Sequence, residues 1–282
     1  MLAVIGGSGL YQLEGLQIDQ ERILTTPFGR PSAAISCGEY AGQSMLFLAR
    51  HGSGHQLLPH EINYRANIYA LKALGARRIM SFSAAGSLRQ QIKPGDLALV
   101  EQYFDHTRGG RTQSFFGQGI AAHVSTANPV CAALNSDIQR AAASVDQPIH
   151  INSCYACVEG PRLGTRAESF FLRDAAKCDL VGMTNLPEAF LAREAQIAYS
   201  SVSLITDYDC WMDDPSQHVS VDKFLEVYSD TLARAIRLLK PLLHSPFTAT
   251  PSHISQALKS ALLTPRDQLS SAQQQWLEVL ER

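Results

Sequence analysis

The sequence predicts an α/β fold, a single domain with a mixed, largely parallel β-sheet flanked by helices. Apolar, β-branched runs such as residues 197–205 are typical of strands that are buried on both faces. Segments with apolar residues at helical spacing alternate with these runs, for example over residues 61–74, where Gly75 ends the helix. The 282 residues suffice for one large domain and leave little for a second.

The composition argues against several classes of protein. The chain carries 24 Lys and Arg against 26 Asp and Glu, without runs of either sign, which argues against a nucleic-acid partner and against a membrane surface. No apolar run approaches the ~20 residues that span a bilayer. The six cysteines are scattered, and Cys154-x-x-Cys157 has no second pair to complete a zinc site. We interpret these two as reduced core thiols, which favours the cytoplasm.

A glycine-rich segment, Gly6-Gly7-Ser8-Gly9-Leu10, follows the first predicted strand. Such a turn brings backbone N–H groups and the Ser8 hydroxyl close to an anion. Its spacing matches neither the dinucleotide fingerprint nor the P-loop. A plain tight turn explains this segment equally well.

Polar side chains follow four predicted strands where each strand ends, namely Ser8, the pair Arg50-His51, Ser83 and Thr184. Beyond the first strand, we expect a hairpin formed by strands at 33–36 and 44–48. A further strand at 79–83 is expected to run into a small-residue turn over 84–87, and another strand is expected at 179–181. For Arg50-His51 a surface position is the alternative. If the four ends share one edge of the sheet, their cationic, hydroxyl and N–H groups build a phosphate pocket.

Two carboxylates follow the 197–205 strand, in the segment Thr206-Asp207-Tyr208-Asp209-Cys210-Trp211. Ligands of open α/β sheets bind at the carboxyl ends of the strands. A solvated turn or a helix cap is the alternative interpretation. The buried strand and the two aromatic side chains favour carboxyl groups of raised pKa, which donate a proton as well as accept one.

Two long segments lie outside this regular alternation. Residues 105–122 are polar and glycine-rich and predict a long connection with a functional or interfacial role. Three prolines between 241 and 251 predict a linker, and Thr264-Pro265 begins a last amphipathic helix. We therefore divide the chain into a domain over residues 1–240 and a helical tail over residues 241–282.

A set of motifs resembles the trimeric purine nucleoside phosphorylase and methylthioadenosine phosphorylase family over roughly residues 2–240. The motifs are, in order, Gly6-Gly7-Ser8-Gly9-Leu10, Ala49-Arg50-His51-Gly52, Asn63-Tyr64-Arg65-Ala66-Asn67, Glu159-Gly160-Pro161-Arg162, Arg166-Ala167-Glu168, and Gly182-Met183-Thr184 with Pro187-Glu188. The segment around Asp207 and Asp209, followed by Val219-Ser220-Val221-Asp222, is similar to the methylthioadenosine branch in particular.

The resemblance implies a nucleoside phosphorylase-like fold and a set of binding residues. Phosphate would be held by Ser8, Arg50, His51, Ser83, Ala84 and Thr184. The ribose would lie near Met183, the adenine would be held by the catalytic pair Asp207 and Asp209, and the methylthio group would meet Val221, Phe224 and Leu225. A neighbouring subunit of a homotrimer would contribute His123.

The sequence departs from the family pattern at several of these positions. Ser8 and Ser83 stand where the family often has Thr, and Ala85 stands where Cys is frequent. Leu163 replaces a common aromatic residue near the base, which puts stacking in doubt. Phe224 is bulkier than the usual aliphatic residue, which puts the 5′ substituent in doubt. The tail after Pro241 does not follow the family well.

The activity implied by the resemblance is a pentosyl transfer of purine and methionine salvage. Phosphate, the co-substrate, would cleave S-methyl-5′-thioadenosine into adenine and 5-methylthioribose 1-phosphate, with no cofactor and no metal. Since a purine anion is a poor leaving group, an acid must protonate N7, and a protonated Asp207 supplies that proton. The phosphate dianion stabilises the positive sugar of the transition state.

Three alternatives remain open from the residues. A phosphorylase for 6-oxopurines, including methylthioinosine, would want Asn in place of Asp207. A hydrolytic nucleosidase would want a carboxylate that activates water in place of Arg50 and His51. A non-catalytic nucleotide-binding protein would use residues 241–282 as a docking element.

Overall fold

The computed structural model describes residues 1–7, 15–40, 42–212 and 221–282, with the backbone only for 221–224. Within these residues nine strands form one sheet. The strands are β1 Leu2–Gly6, β2 Gln17–Arg22, β3 Ile35–Tyr40, β4 Gln43–Ala49, β5 Arg78–Ser87, β6 Leu97–His106, β7 His150–Val158, β8 Leu180–Gly182 and β9 Ala198–Tyr208.

Eight α-helices connect or flank these strands in the same described part of the chain. They are α1 Tyr64–Ala73, α2 Ala132–Ala143, α3 Arg166–Phe170, α4 Glu188–Glu194, α5 Val221–Ile236, α6 Leu239–His244, α7 Ser252–Ser255 and α8 Ser271–Glu281. A π-helical turn, Phe171–Ala175, continues α3, and a 3₁₀ turn, Arg266–Gln268, precedes α8. None of the described helices is long and apolar enough to cross a membrane.

The sheet is mixed, and part of it closes on itself. Its order is β2-β3-β4-β1-β5-β8-β7-β6-β9, and β9 pairs in parallel with β5 as well. Strands β1, β4, β5 and β9 run parallel, whereas β2 and β3 form an antiparallel edge. The fold class predicted from the sequence is therefore confirmed.

Two hydrophobic clusters cover the two faces of the sheet. Alternate residues of β1 point to opposite faces, as a strand requires, so Ala3 and Ile5 belong to one cluster and Leu2 and Val4 to the other. Helices α1, α4 and α8 fill the first cluster. Helices α2, α5 and α6 fill the second. The result is a helix–sheet–helix arrangement.

Two predictions of local structure were wrong, and one strand, β2, was not predicted. Residues 84–87 continue β5 instead of turning, because β9 and β8 both pair with this stretch. Strand β2 is exposed along its whole length and lacks the alternation that marks a strand in a sequence. Although Thr264-Pro265 precedes a 3₁₀ turn, the last α-helix begins only at Ser271.

The C-terminal segment packs on the chain's own core. Pro241 lies within α6, so the irregular stretch is confined to residues 245–251 and the linker prediction is corrected. Trp276 and Leu280 of α8 are buried in the same cluster as α1, because the apolar face of this helix completes that side of the sheet. The division of the chain at residue 240 stays a prediction.

Candidate active site

The site lies at a gap along one edge of β5. Strand β1 pairs with this edge as far as Ser81, and β8 pairs with it from Gly86 onwards in the opposite direction. Strand β9 occupies the other edge throughout. Residues 82–85 therefore have no partner among the described strands on that edge. The chain ends of β1 and β8 meet head to head there, so that Thr184, after β8, comes beside Ser83.

Arg50 fills the floor of this gap with a buried ion pair. Its Nε lies 2.7 Å and its Nη2 2.9 Å from the two carboxylate oxygens of Glu188, and the side chains are 2% and 1% exposed. Nη2 also donates to the Ser81 hydroxyl at 2.6 Å, and Nη1 donates to the Phe82 carbonyl at 2.9 Å. The guanidinium has five N–H groups, so a single Nη1 proton remains for a ligand in the described contacts.

The positive charge of Arg50 is fixed. Burial alone would lower the pKa of the Arg50 guanidinium, but the Glu188 carboxylate outweighs burial and holds that pKa above its usual value. Glu188 also accepts from the hydroxyls of Ser81 and Tyr199, at 2.9 and 2.8 Å. Arg50 is therefore a rigid part of the floor, and its role as a phosphate ligand stays a prediction limited to one N–H.

His51 stands next to Arg50 with a defined tautomer. Its Nδ1 lies 2.8 Å from the Leu57 carbonyl oxygen, which only accepts, so Nδ1 carries the proton. Burial lowers the pKa of the ring to about 4, despite the help of that hydrogen bond. The neutral ring thus presents an unprotonated Nε2, and its neighbour His55 stacks on it at 4.4 Å between ring centres.

Hydroxyl groups occupy the gap itself. Ser83 is buried and donates to Asn185 Oδ1 at 3.0 Å, which ties β5 to the segment after β8. Asn185 in turn donates to the Ser201 hydroxyl at 2.8 Å. Thr184 is 7% exposed and Ala84 is half-buried. The structure therefore brings together Arg50, Ser83 and Thr184, which the strand ends predicted, and Ala84, which the resemblance implied.

The two carboxyl groups lie at the far end of the same gap. Asp207 belongs to β9 and pairs with Gly86 after a bulge in the register, and Asp209 follows the strand. A Cβ atom at Gly86 would lie 3.0 Å from Asp207 Oδ1 and 3.4 Å from the Cβ of Asp209. The bare glycine backbone therefore gives both side chains their room.

Asp207 has a carboxyl group whose pKa is raised towards neutrality. Burial raises the pKa of its carboxyl group to about 6, the Thr206 hydroxyl opposes this with a hydrogen bond of 2.7 Å, and the charge of Asp209 adds to the rise. The direction is the one that the sequence predicted. Its roles in protonating N7 and reading the base stay predictions.

A cavity of about 180 Å³ adjoins Asp209. Its lining contains polar and apolar residues and comprises His106, Arg108, Val158, Glu159, Gly160, Arg162, Gly164, Glu168, Ser169, Leu172, Val181 and Asp209. At this cavity Arg162 holds Glu168 with two hydrogen bonds, of 2.6 and 2.8 Å. The carboxyl end of the gap thus adjoins a cavity.

The structure places the remaining predicted residues less close to the gap along β5. Met183 follows β8, and its Sδ approaches the backbone at Gly160. Leu163 is 61% exposed and Leu225 57% exposed. His123 is exposed, and its backbone N–H bonds Ala261, so no described contact brings it to the site. Ser8 and the side chains of Val221 and Phe224 lie outside the described residues.

Four residues of the site received no role from the sequence. Glu188 and Asn185 form its buried polar network, Arg111 bonds the backbone at Met183, and the Tyr228 hydroxyl reaches the backbone at Gly7. Glu188 was visible only as part of a motif. The other three carry no local signal, because their partners are distant in the sequence.

This geometry agrees with the comparisons to known proteins. The sequence model of the phosphorylase superfamily matches residues 1–243. The chain therefore belongs to the phosphorylase superfamily. Within it, the chain is 41% identical to an S-methyl-5′-thioadenosine phosphorylase of Geobacter sulfurreducens and 44% identical to one of Thermosynechococcus vestitus, over 99% of this chain and 97% of each relative. The resemblance read from the motifs is thus confirmed.

Solved structures give the same result. A methylthioadenosine phosphorylase from an antarctic soil metagenomic library superposes with a TM-score of 0.91 at 42% identity, over 99% of this chain and 98% of that one. The Schistosoma mansoni methylthioadenosine phosphorylase in complex with adenine gives 0.86 at 32% identity, over 95% and 99%. The matched regions of the full-length relatives include the C-terminal segment.

Proposed function

We propose that this chain catalyses the phosphorolysis of S-methyl-5′-thioadenosine to adenine and 5-methylthioribose 1-phosphate. The observation that carries the proposal is the gap along β5, which has a cationic and hydroxyl-lined end and, a few residues further along the strand, a carboxyl group of raised pKa. Relatives over the full chain length are S-methyl-5′-thioadenosine phosphorylases, which supports the same substrate.

The carboxyl end suits a 6-aminopurine. Protonated Asp207 donates to N7 as the glycosidic bond breaks, and a carboxylate oxygen of the pair accepts from the exocyclic amino group. A 6-oxopurine would place an acceptor where the site wants a donor. Leaving a polar group unpaired in a closed site costs ~1–3 kcal/mol, so the pair discriminates between the two bases.

The other end suits phosphate. The remaining Nη1 proton of Arg50 and the Thr184 hydroxyl lie at the unpaired edge of β5, next to the Ser83 hydroxyl, whose proton is donated to Asn185 in this structure. The phosphate attacks the anomeric carbon and its charge stabilises the cationic sugar. The proposed reaction uses phosphate as co-substrate and needs no cofactor.

The active assembly in this proposal is a homotrimer with shared sites. His123 is exposed on the monomer, and its segment is held by a bridge between Ala122 and Leu262. A neighbouring subunit that receives His123 would complete the site near the 5′ substituent. Sedimentation at micromolar concentration is expected to give three times the 30.8 kDa chain mass. An active monomer would contradict the shared site.

We further propose a cytoplasmic location, since six free thiols suit a reducing compartment.

One assay tests the activity and separates it from its alternatives. Free adenine is measured after incubation of the protein with S-methyl-5′-thioadenosine, with and without inorganic phosphate. We expect release only with phosphate, together with 5-methylthioribose 1-phosphate. Release without phosphate would indicate a hydrolytic nucleosidase. Binding without release would indicate a non-catalytic protein, and faster turnover of methylthioinosine would indicate a 6-oxopurine enzyme.

A further inference from the structure

Arg111 lies in the long connection over 105–122 and extends into the interior. Its side chain is 1% exposed. Nη1 donates to the carbonyl oxygens of Met183 and Leu186, each at 2.6 Å, and Nη2 donates to the carbonyl oxygen of Glu159 at 2.7 Å. Nε completes the set with a contact of 3.2 Å to the Glu159 carboxylate. One guanidinium therefore binds two segments that are distant in the sequence.

Both segments leave strands that build the site. Residues 183–186 follow β8 and carry Thr184 and Asn185, and residue 159 follows β7 and begins the turn that borders the cavity. The two carbonyls bound by Nη1 bracket Thr184 and Asn185. Since a planar guanidinium fixes its acceptors in direction as well as distance, Arg111 sets the shape of this four-residue turn.

The same turn leads directly into the buried ion pair. Two residues after the Leu186 carbonyl comes Glu188, which holds Arg50. At the other end, a Cβ atom at Gly160 would lie 2.5 Å from Met183 Sδ, so the two segments held by Arg111 are also packed against each other. A displacement of this turn would therefore move Thr184, Met183 and Glu188 together.

The chemistry of these contacts suits a residue that positions the backbone of residues 183–186 better than one that only stabilises the fold. Five of the acceptors are neutral oxygens, those of Tyr64, Val158, Glu159, Met183 and Leu186, and the one carboxylate, of Glu159, is partly exposed. Burying a guanidinium against neutral groups is a costly way to hold a fold together, since an apolar residue of similar size fills the same volume without desolvating a charge. Its directional N–H groups are what an apolar residue does not supply.

We propose that Arg111 is a positioning residue of the active site, which holds residues 183–186 so that Thr184 faces the phosphate and Met183 faces the ribose. This inference rests on the proposed function, because it assigns Thr184 and Met183 to the two substrates. Arg111 touches neither substrate. Its loss is expected to weaken both substrates at once, whereas loss of a direct phosphate ligand weakens phosphate alone.

The test is steady-state kinetics of Arg111→Lys with both substrates varied. A lysine has one nitrogen and cannot span the Met183, Leu186 and Glu159 carbonyls. We expect KM for phosphate and KM for S-methyl-5′-thioadenosine each to rise about fivefold or more, the effect of roughly one lost hydrogen bond. A purely structural role would lower the folded fraction and the apparent kcat but leave both KM values unchanged, and that result would overturn the proposal.

A matched control separates position from stability. Arg193 is also buried and also donates to backbone carbonyls, those of Ser125, Asn128 and Val130, with no contact to residues 183–186 in the described structure. Arg193→Lys is expected to lower the melting temperature at least as much as Arg111→Lys does and to keep both KM values within about twofold. Equal KM changes in the two variants would contradict the assignment.

Chemical rescue provides a second readout. Millimolar guanidinium chloride is expected to restore activity to Arg111→Ala several-fold, whereas ammonium chloride at the same concentration is not. If Arg111→Ala does not fold, the KM values of Arg111→Lys decide alone. If the wild-type protein shows no phosphate-dependent adenine release, the proposed function itself fails. An active wild type with unchanged KM values in Arg111→Lys overturns only the inference about Arg111.

Discussion

The two ends of the gap along β5 differ in how their charged groups are arranged. At the arginine end, Arg50 and Glu188 neutralise each other inside the protein, and four of the five guanidinium N–H groups are bound within the described contacts. At the carboxyl end, Asp207 and Asp209 repel each other beside an open cavity. The first end has fixed charges and fixed geometry. The second has a proton that it can exchange, which is what acid catalysis requires.

The largest expected effect is on stability at the arginine end. Glu188→Gln removes the charge that compensates a buried guanidinium, which cannot lose its proton, so we expect a loss of ~3–5 kcal/mol in the free energy of unfolding. Urea unfolding measures it. The control is Asp179→Asn, which removes one partner of the part-exposed pair with Arg89 and is expected to cost at most ~1 kcal/mol. Equal losses of unfolding free energy in the two variants would show that the buried ion pair contributes no more to stability than the part-exposed pair.

The next effect is on the choice of base at the carboxyl end. Asp207→Asn keeps the volume but cannot protonate N7, and its amide can donate to O6 of a 6-oxopurine. We expect kcat/KM for S-methyl-5′-thioadenosine to fall by about a hundredfold or more, with a smaller loss or a gain for methylthioinosine. The ratio of the two specificity constants is measured in wild type and variant. An unmoved ratio would mean that Asp207 does not read the base.

The KM for phosphate tests whether phosphate binds the one N–H group of Arg50 that has no partner among the described contacts. Arg50→Ala is expected to raise KM for phosphate by about tenfold or more, because a charge-assisted hydrogen bond contributes ~1.5–3 kcal/mol. The stability loss should be smaller than in Glu188→Gln, because a buried carboxylate without its partner can take up a proton whereas a guanidinium cannot lose one. Unchanged phosphate kinetics would remove Arg50 from the phosphate site.

The smallest effect concerns the room that Gly86 gives to the carboxyl groups. In Gly86→Ala the new methyl group would lie 3.0 Å from Asp207 Oδ1, so the side chain must move by a few tenths of an ångström. We expect a several-fold fall in kcat/KM, since misplacement of a catalytic group weakens proton transfer, with little change in melting temperature. A variant as active as the wild type would show that Asp207 has more freedom than its packing suggests.

Sequence reasoning located the ends of the gap because each depends on local signals. A strand followed by Arg50-His51, by Ser83 or by Thr184 is visible in a short window, and so is the pair of carboxylates after a buried strand. The extension of β5 to Ser87 was missed, because it depends on pairing with β8 and β9, whose contacts no window contains.

The buried network could not be predicted for the same reason. Arg50 and Glu188 are 138 residues apart, and Arg111 is separated by more than 70 residues from the carbonyls of Met183 and Leu186. A sequence shows a charged residue but not whether it is buried or what compensates it. The ion pair of Arg50 with Glu188 was therefore not predicted, whereas the direction of the Asp207 pKa shift was.

The most direct test of the contrast between the two ends is the titration of Asp207 itself. Carboxyl-¹³C-labelled aspartate is followed by NMR between pH 3 and 9, and the Asp207 resonance is assigned by its absence in Asp207→Asn. We expect a midpoint at about pH 6. The proton is then present below that pH and lost as the pH rises through it, so a useful fraction of the acid form persists near neutrality. A midpoint near 4, the ordinary value for aspartate, would contradict the account, because Asp207 would then hold too little proton to protonate the leaving purine.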